Sequence, residues 1–303
     1  MATHAVIDVG SNSVKLYVAA RERDGSWRDL ADCHEITRLA EGLHATRLIG
    51  SAAGDRTLAV IRQLAGQARA LEAEDIVAVG TMALRQARNA DAFIARVAAD
   101  CGVSIEVISG QAEARYSFLA AQAGLGPLPG RVAVFDIGGA STEITCGGDD
   151  TIQWQRSVPV GAVRLTEQFL HSDPVTPAEF EAMLRTVTAD LVDLAQAGKV
   201  DRLIGVGGTM TNLSAVHHRF PRLEPQLIQG TRLGREDIEI MIEMFRARTI
   251  TQRQQIVGLE PARADVILAG AGIAVVLMKM LAMEFLAVSA RGLRHGVMVA
   301  RFG

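Results

Sequence analysis

An α/β fold with mixed sheets, organised as two halves, is predicted by three observations on this chain of 303 residues. Strand-like apolar runs alternate with segments of helical periodicity, the pattern of sheets covered by helices. The turn Asp-aliphatic-Gly-x-x-Ser is written twice, as "DVGSNS" from Asp8 and "DIGGAS" from Asp136. Between the copies lies "AGLGPLPGR", residues 123–131, with three glycines and two prolines in nine positions. Such a stretch breaks regular structure. It places the halves at 1–128 and 129–303.

The strands expected in order are 4–9, 14–20, 26–36, 75–79, 104–108, 131–136, 141–146, 152–158, 202–206 and 285–289. Each is a short apolar or alternating run bounded by turn residues. The helices expected are 54–72, 90–100, 111–123, 161–170, 177–197, 209–218, 235–246, 262–283 and 293–301. The first strands of each half follow one another at hairpin distance, so they should pair antiparallel.

Composition excludes several classes. A net charge of −3 makes no case for bulk nucleic-acid or membrane binding. Lys15, Lys199 and Lys279 are the only lysines and the other basic residues are arginines, a bias that base composition of the gene explains. Cys33, Cys101 and Cys146 form no CxxC, so the thiols should act as small apolar residues in a reducing cytoplasm. "MATHAVIDVG" lacks the basic and apolar regions of a signal peptide. The longest apolar run, "VILAGAGIAVVLM", is bracketed by Asp265 and Lys279 and is too short to span a bilayer. A buried helix is expected there.

Three glycine loops carry the chemistry. In "DVGSNS" a glycine lets the chain turn sharply and approach a ligand, and Ser11, Asn12 and Ser13 supply hydroxyl, amide and backbone donors suited to phosphate. "DIGGAST" repeats this with Gly138, Gly139, Ala140 and Ser141, and strand alternation puts Ser141 and Glu143 on one face. Asp136 and Glu143 near a phosphate loop suggest Mg²⁺ or another divalent cation held by oxygen ligands and water. The third loop, "LIGVGGTMT", offers Gly207, Gly208 and a helix opened by Thr209, a workable anion site. A dinucleotide reading of that loop wants an acid about 20 residues on, at a strand end, where the chain instead has "RFPRLEPQ". A P-loop is absent, since Gly198-Lys199 is followed by Val200.

"VISGQAEARY" puts Glu113 in the first turn of a helix opened by Ser109-Gly110, where a glutamate also simply complements the helix dipole. "VGTMALRQARN" puts Arg85 just after a strand, where an arginine can clamp a phosphate. Residues 217–235 hold four arginines against one acid, a possible rest for a polyanion. His217-His218 has no metal spacing and reads as surface.

Together "DVGSNSVKL", "VGTMALRQARN", "VISGQAEARY", "FDIGGASTEI", "SVPVGAVRLTE", "GVGGTMTNLSAV", "RADVILAG" and "VSARGLRHGV" occur in this order from Asp8 to Val297. The set resembles the exopolyphosphatase / guanosine pentaphosphate phosphohydrolase (Ppx/GppA phosphatase) family, in its short two-domain form. The resemblance implies an actin-like (ASKHA) fold of two ribonuclease-H-like domains around a central cleft, with the last helix packing back on the first domain. It implies hydrolysis of the terminal phosphoanhydride of inorganic polyphosphate. Glu113 would activate the water, Asp136 and Glu143 would hold the metal, and Ser11, Asn12, Ser13, Arg85, Gly138, Gly139, Ala140, Ser141, Gly207, Gly208 and Thr209 would contact phosphate. A cytoplasmic homodimer is the implied form.

Three positions depart from the family pattern. Ala112 replaces a glutamate beside Glu113, Ala140 replaces a glycine, and His295 replaces a glutamate in "GLRHG". If position 140 requires φ > 0, alanine there costs about 1–2 kcal/mol and its methyl narrows the pocket. Three other readings stand beside exopolyphosphatase. They are a guanosine pentaphosphate (pppGpp) 5'-phosphohydrolase, a weakly catalytic polyphosphate or alarmone sensor, and, from the wider fold, a kinase.

Overall fold

The computed structural model describes residues 2–148 and 151–303. Its elements run β1 (Thr3–Val9), β2 (Ser13–Arg21), β3 (Trp27–Ile36), α1 (Ser51–Ala70), β4 (Asp75–Gly80), α2 (Ala90–Cys101), β5 (Ile105–Val107) and α3 (Gly110–Leu125). They continue with β6 (Val132–Ile137), β7 (Thr142–Gly148), β8 (Thr151–Val158), α4 (Ala162–Phe169), α5 (Pro177–Asp190), β9 (Arg202–Val206) and α6 (Gly207–His218). The chain ends with β10 (Arg232–Gly234), α7 (Arg235–Arg246), α8 (Ile267–Met280), β11 (Phe285–Ser289) and α9 (Leu293–Phe302). Two compact units result: Met1–Ala120 with Leu293–Gly303, and Ala121–Gly292.

The first unit holds a sheet of order β3-β2-β1-β4-β5. β1 pairs antiparallel with β2 and parallel with β4, and β2 pairs antiparallel with β3. β1 is central, and Ala5, Val6, Ile7 and Val9 are fully buried. The edge strand β3 carries Arg28, Asp29, Asp32 and Glu35, charges that discourage further pairing. One sheet face packs on α1 and α2, where Leu58, Ile61, Leu64, Ala65 and Ala68 recur at helical spacing. Val6, Tyr17 and Val79 on the other face pack against Leu293, Val297 and Met298 of α9.

The second unit holds the order β10-β11-β9-β6-β7-β8. Read from β8, the first five strands repeat the first unit: three antiparallel strands, then two parallel to the first of them. This duplicated mixed sheet is the actin-like class expected from the sequence. α8 is buried along its length from Ile267 to Met278, as expected of "VILAGAGIAVVLM". No helix among the described residues is long and apolar enough to cross a membrane.

Local differences have local causes. The expected helix 177–197 stops at Asp190 and tightens into a 3₁₀ turn, Val192–Ala197. Leu191, Leu194 and Ala197 are all buried, and a spacing of three lines them up only in the tighter helix. The expected helix 262–283 begins at Ile267, after a 3₁₀ turn over Pro261–Arg263. The expected helix 209–218 begins at Gly207 instead. β10 and the short helices Leu43–Thr46, Met82–Gln86, Pro225–Ile228 and Ile250–Arg253 are too short for periodicity to register. All three cysteines are free, and burial pushes the thiol of Cys146 up to about 11. It stays protonated and apolar.

α9 is fastened to the first unit by several side chains. Gly296 lies against the Tyr116 carbonyl so closely that a Cβ there would sit 1.8 Å from the oxygen. The Phe302 ring stacks on His4 at 4.0 Å. Asp32 accepts from Arg294 Nε at 2.6 Å and lies 3.1 Å from His295 Nε2. His295, one of the three departures from the family pattern, is thus buried against β3. Burial alone would raise the Asp32 carboxyl, but the Arg294 charge and the His295 hydrogen bond outweigh it and hold it far below the ordinary carboxylate range. A carboxyl lowered on folding adds stability above its unfolded value and loses it as pH falls through the folded one. Asp32→Asn should therefore lower stability at pH 7 by roughly 1.5–3 kcal/mol, the range for hydrogen bonds to charged groups. In urea titrations the gap to wild type should close as pH drops below about 4.

Candidate active site

Both copies of the repeated turn form the same structure. Gly10 N–H donates to Ser13 O at 3.0 Å, and Gly138 N–H donates to Ser141 O at 2.9 Å. A Cβ at either glycine would meet that serine carbonyl at 2.9 or 3.0 Å, so the turn closes only on glycine. The turn carbonyls are tied back. Ser11 O accepts from Ala40 N–H, and Asn12 O accepts from Thr37 and Arg38 N–H. In the second copy Gly138 O accepts from Ala162 N–H, and Gly139 O accepts from Val163 and Arg164 N–H. The first turn of α4 is thus spent on the loop. Gly161 permits this, since a Cβ there would lie 2.4 Å from Gly139 O. With the oxygens held behind, the turns present donors.

Ser11, Asn12, Ser13 and Ser141 are each more than nine-tenths buried. Their side chains make no hydrogen bond with the described residues. None of these side-chain atoms is among the fully buried unpartnered ones, so they stay open to solvent and available to a ligand, at the first turn for Ser11, Asn12 and Ser13 and at the second for Ser141. Ala140 is buried and is not among the residues of positive φ. The strain that would follow from φ > 0 at this position is therefore absent.

The cross-strand partner of the turn aspartate differs between copies. In the first, Asp8 faces Lys15 and the two form an ion pair of 3.0 Å. In the second, Asp136 faces Glu143. Glu143 is buried and accepts a hydrogen bond of 2.6 Å from Ser157 Oγ. Two carboxylates directly opposed on one sheet face repel, and a cation between them removes that cost. Asp136 also pairs in register with Val206 of β9, which brings it beside the third loop. Gly207 has φ +87°, and a Cβ there would lie 2.3 Å from Asp136 Oδ1.

The third loop opens α6 at Gly207, with no side chain capping its first turn. Its amides therefore face outward uncapped. Thr209 is buried with its side chain against Gly270. Arg263, which sequence reasoning left unassigned inside "RADVILAG", lays its guanidinium on Gly208 and pairs with Glu260 at 2.9 Å.

In the first unit, Arg85 lies on the short helix after β4. Its Nη1 donates to Glu113 Oε2 and to Ile108 O, both at 2.8 Å. Its Nη2 is buried without a partner among the described residues. Glu113 is 7% exposed. Ser109 Oγ accepts from Ala112 N–H and so caps the helix that carries Glu113. Ala112 packs with the apolar cluster of β1 and α9. The structure therefore gathers Asp8, the Gly10–Ser13 turn, Arg85 and Glu113 in one unit. It gathers Asp136, Glu143, the Gly138–Ser141 turn, Gly207 and Gly208 in the other. The basic segment 217–235 adds nothing to either group, and His218 bonds its own helix at Ser214 O.

The Ppx/GppA phosphatase family matches residues 18–302. A Mycobacterium tuberculosis protein named exopolyphosphatase 2 is 33% identical over 278 residues, covering 88% of this chain and 87% of that one. Exopolyphosphatase 1 of Mycobacterium bovis is 28% identical over 300 residues, covering 98% of this chain and 87% of that one. Among solved structures, a Ppx/GppA family member from Aquifex aeolicus superposes with a TM-score of 0.82 at 33% identity, covering 99% and 97% of the two chains. An exopolyphosphatase from Cytophaga hutchinsonii superposes at 0.91 with 26% identity, covering 98% and 97%. A near full-length match in sequence and fold, with the same glycine turn built in each unit, makes this chain a hydrolase belonging to the Ppx/GppA phosphatase family.

Proposed function

We propose that this protein is an exopolyphosphatase, which removes the terminal phosphate of inorganic polyphosphate as orthophosphate. The observation that carries the reading is the pair of turns whose carbonyls are tied back and whose serines and asparagine have no side-chain partner among the described residues. Such groups bind the oxygens of a phosphate chain without specifying anything else. The relatives named exopolyphosphatase support the same substrate.

In this reading Glu113 takes a proton from water as the water oxygen bonds to the terminal phosphorus. The bridging P–O bond breaks, and the shortened chain leaves with the bridging oxygen. Arg85 fixes one Glu113 oxygen through Nη1 and offers the orphaned Nη2 to a phosphoryl oxygen. Positioning and charge neutralisation supply most of the rate in this chemistry. The turn donors hold the chain end in line.

Asp136 and Glu143 fit a divalent cation by their donor chemistry: two hard oxygen ligands, opposed across one strand pair. No group of three or more metal-binding side chains occurs among the described residues. Mg²⁺ is commonly held by one or two carboxylates, with waters and substrate phosphates completing the shell. When bound, the ion neutralises phosphate charge. Gly207 and its contact with Asp136 Oδ1 would keep that carboxylate aimed.

The test is phosphate release from polyphosphates of several lengths and from guanosine pentaphosphate, with and without Mg²⁺. Release from polyphosphate that stops in EDTA is expected. Faster release from the guanosine substrate would move the reading to the phosphohydrolase, and tight binding without turnover would make the protein a sensor. Glu113→Gln should cut kcat by about 10²–10⁴-fold, the contribution of a general base, while the melting temperature holds. Glu143→Gln should raise the Mg²⁺ needed for half-maximal rate by at least roughly tenfold, a loss typical even of an outer-shell partner. An unchanged Mg²⁺ midpoint would remove Glu143 from the metal site.

A further inference from the structure

The two turns are the same object with one residue exchanged. Each begins with an aspartate at the end of the first strand of its sheet, closes with the same glycine-to-serine hydrogen bond, and places a side chain opposite that aspartate seven residues later. In the second unit that side chain is Glu143; in the first it is Lys15. The next strand adds Ser157 opposite Glu143, and His34 opposite Lys15. The second row is therefore acidic and the first is balanced by its own ammonium.

Two further observations show that the first row is not merely a closed ion pair. Asp8 is 1% exposed, yet its Oδ1 has no hydrogen-bond partner among the described residues. That oxygen lies on the turn side, 3.9 Å from where a Gly10 Cβ would be. The Lys15 ammonium has three donors. One goes to Asp8 Oδ2 at 3.0 Å, and no other acceptor among the described residues takes the rest. A buried acceptor left unmade costs about 1–3 kcal/mol. Both vacancies adjoin a turn whose serines and asparagine are also unsatisfied.

We propose that Lys15 is a tethered substitute for a divalent cation, filling opposite Asp8 the place that a metal ion takes between Asp136 and Glu143. The protein then binds one divalent ion per chain, at the second turn. The first turn receives a phosphate of the chain without any metal, on the spare ammonium donors and the groups of Ser11, Asn12 and Ser13. The assignment of phosphate to this turn rests on the exopolyphosphatase reading; the count of metal ions does not. The lysine also has a selective consequence. A fixed single charge does not dissociate, so the first turn stays an anion receptor at any metal concentration.

Mn²⁺ titration followed by electron paramagnetic resonance tests the count. Wild type should bind one ion per chain, and Lys15→Glu, which recreates the acidic row of the second turn, should bind two. One ion bound by folded Lys15→Glu, or two by wild type, overturns the proposal. Should Lys15→Glu fail to fold, Lys15→Met carries the test. Its Asp8 lacks a counter-ion, so Mn²⁺ should raise its melting temperature more than that of wild type, and equal shifts count against the idea. The phosphate arm is tripolyphosphate binding by calorimetry in EDTA. Lys15→Met should weaken it at least roughly tenfold, about 1.4 kcal/mol, and Lys15→Arg should restore most of the loss. Wild-type affinity in Lys15→Met overturns this arm. Failure of wild type to hydrolyse polyphosphate would sink the exopolyphosphatase reading alone, since neither measurement needs turnover.

Discussion

The hydrogen bond from the glycine amide to the serine carbonyl, Gly10 to Ser13 and Gly138 to Ser141, is the constraint on which the rest of the structure hangs. It forces a buried strand to reverse within three residues. That reversal fixes the register of the strand pair, and the register fixes which side chain faces the aspartate. It also turns the peptide groups of the loop on edge, so that their oxygens need donors behind them. The residues after β3 and the first turn of α4 provide those donors. Gly161, in a segment with no obvious chemistry, is required for that reason alone.

The duplication is a duplication of strand order and turn, with divergence confined to what each copy must do. The first unit adds Arg85 and Glu113 at the ends of its parallel strands. The second adds the glycine pair that opens α6, and lets Asp136 lie against Gly207. Charge is distributed accordingly: the first turn is balanced internally by a lysine, and the second concentrates two carboxylates.

Most of the fold was legible because central strands are unbroken apolar runs and the long helices have strict periodicity. β1, β9 and β11 fall where their runs of Ala, Val, Ile and Leu put them. β10 escaped because three residues carry no period. The tightened end of α5 was written in the threefold spacing of Leu191, Leu194 and Ala197, but a helical reading absorbed it. In the site, the turns and Glu113 were visible as motifs. Lys15 was visible only as a letter, since its opposition to Asp8 needs the register counted outward from the turn. Arg263 and Gly161 depend on contacts between distant segments, which no local pattern contains. His295, one of the three departures from the family pattern, is spent on Asp32 and the anchoring of α9.

That anchoring has a consequence for how the protein is made. Residues 293–303 belong to the unit formed by the first 120 residues, yet they are synthesised after the whole of the second unit. Until then the apolar cluster of Val6, Tyr17 and Val79 lacks Leu293, Val297 and Met298 and is covered only in part, by Ile108, Ala112 and Tyr116. On the ribosome the second unit can complete its core while the first waits, half-wrapped, for the strand of chain that seals it. The order of maturation therefore runs against the order of the sequence, and the nascent first unit is the stage at which a chaperone would find greasy surface to hold.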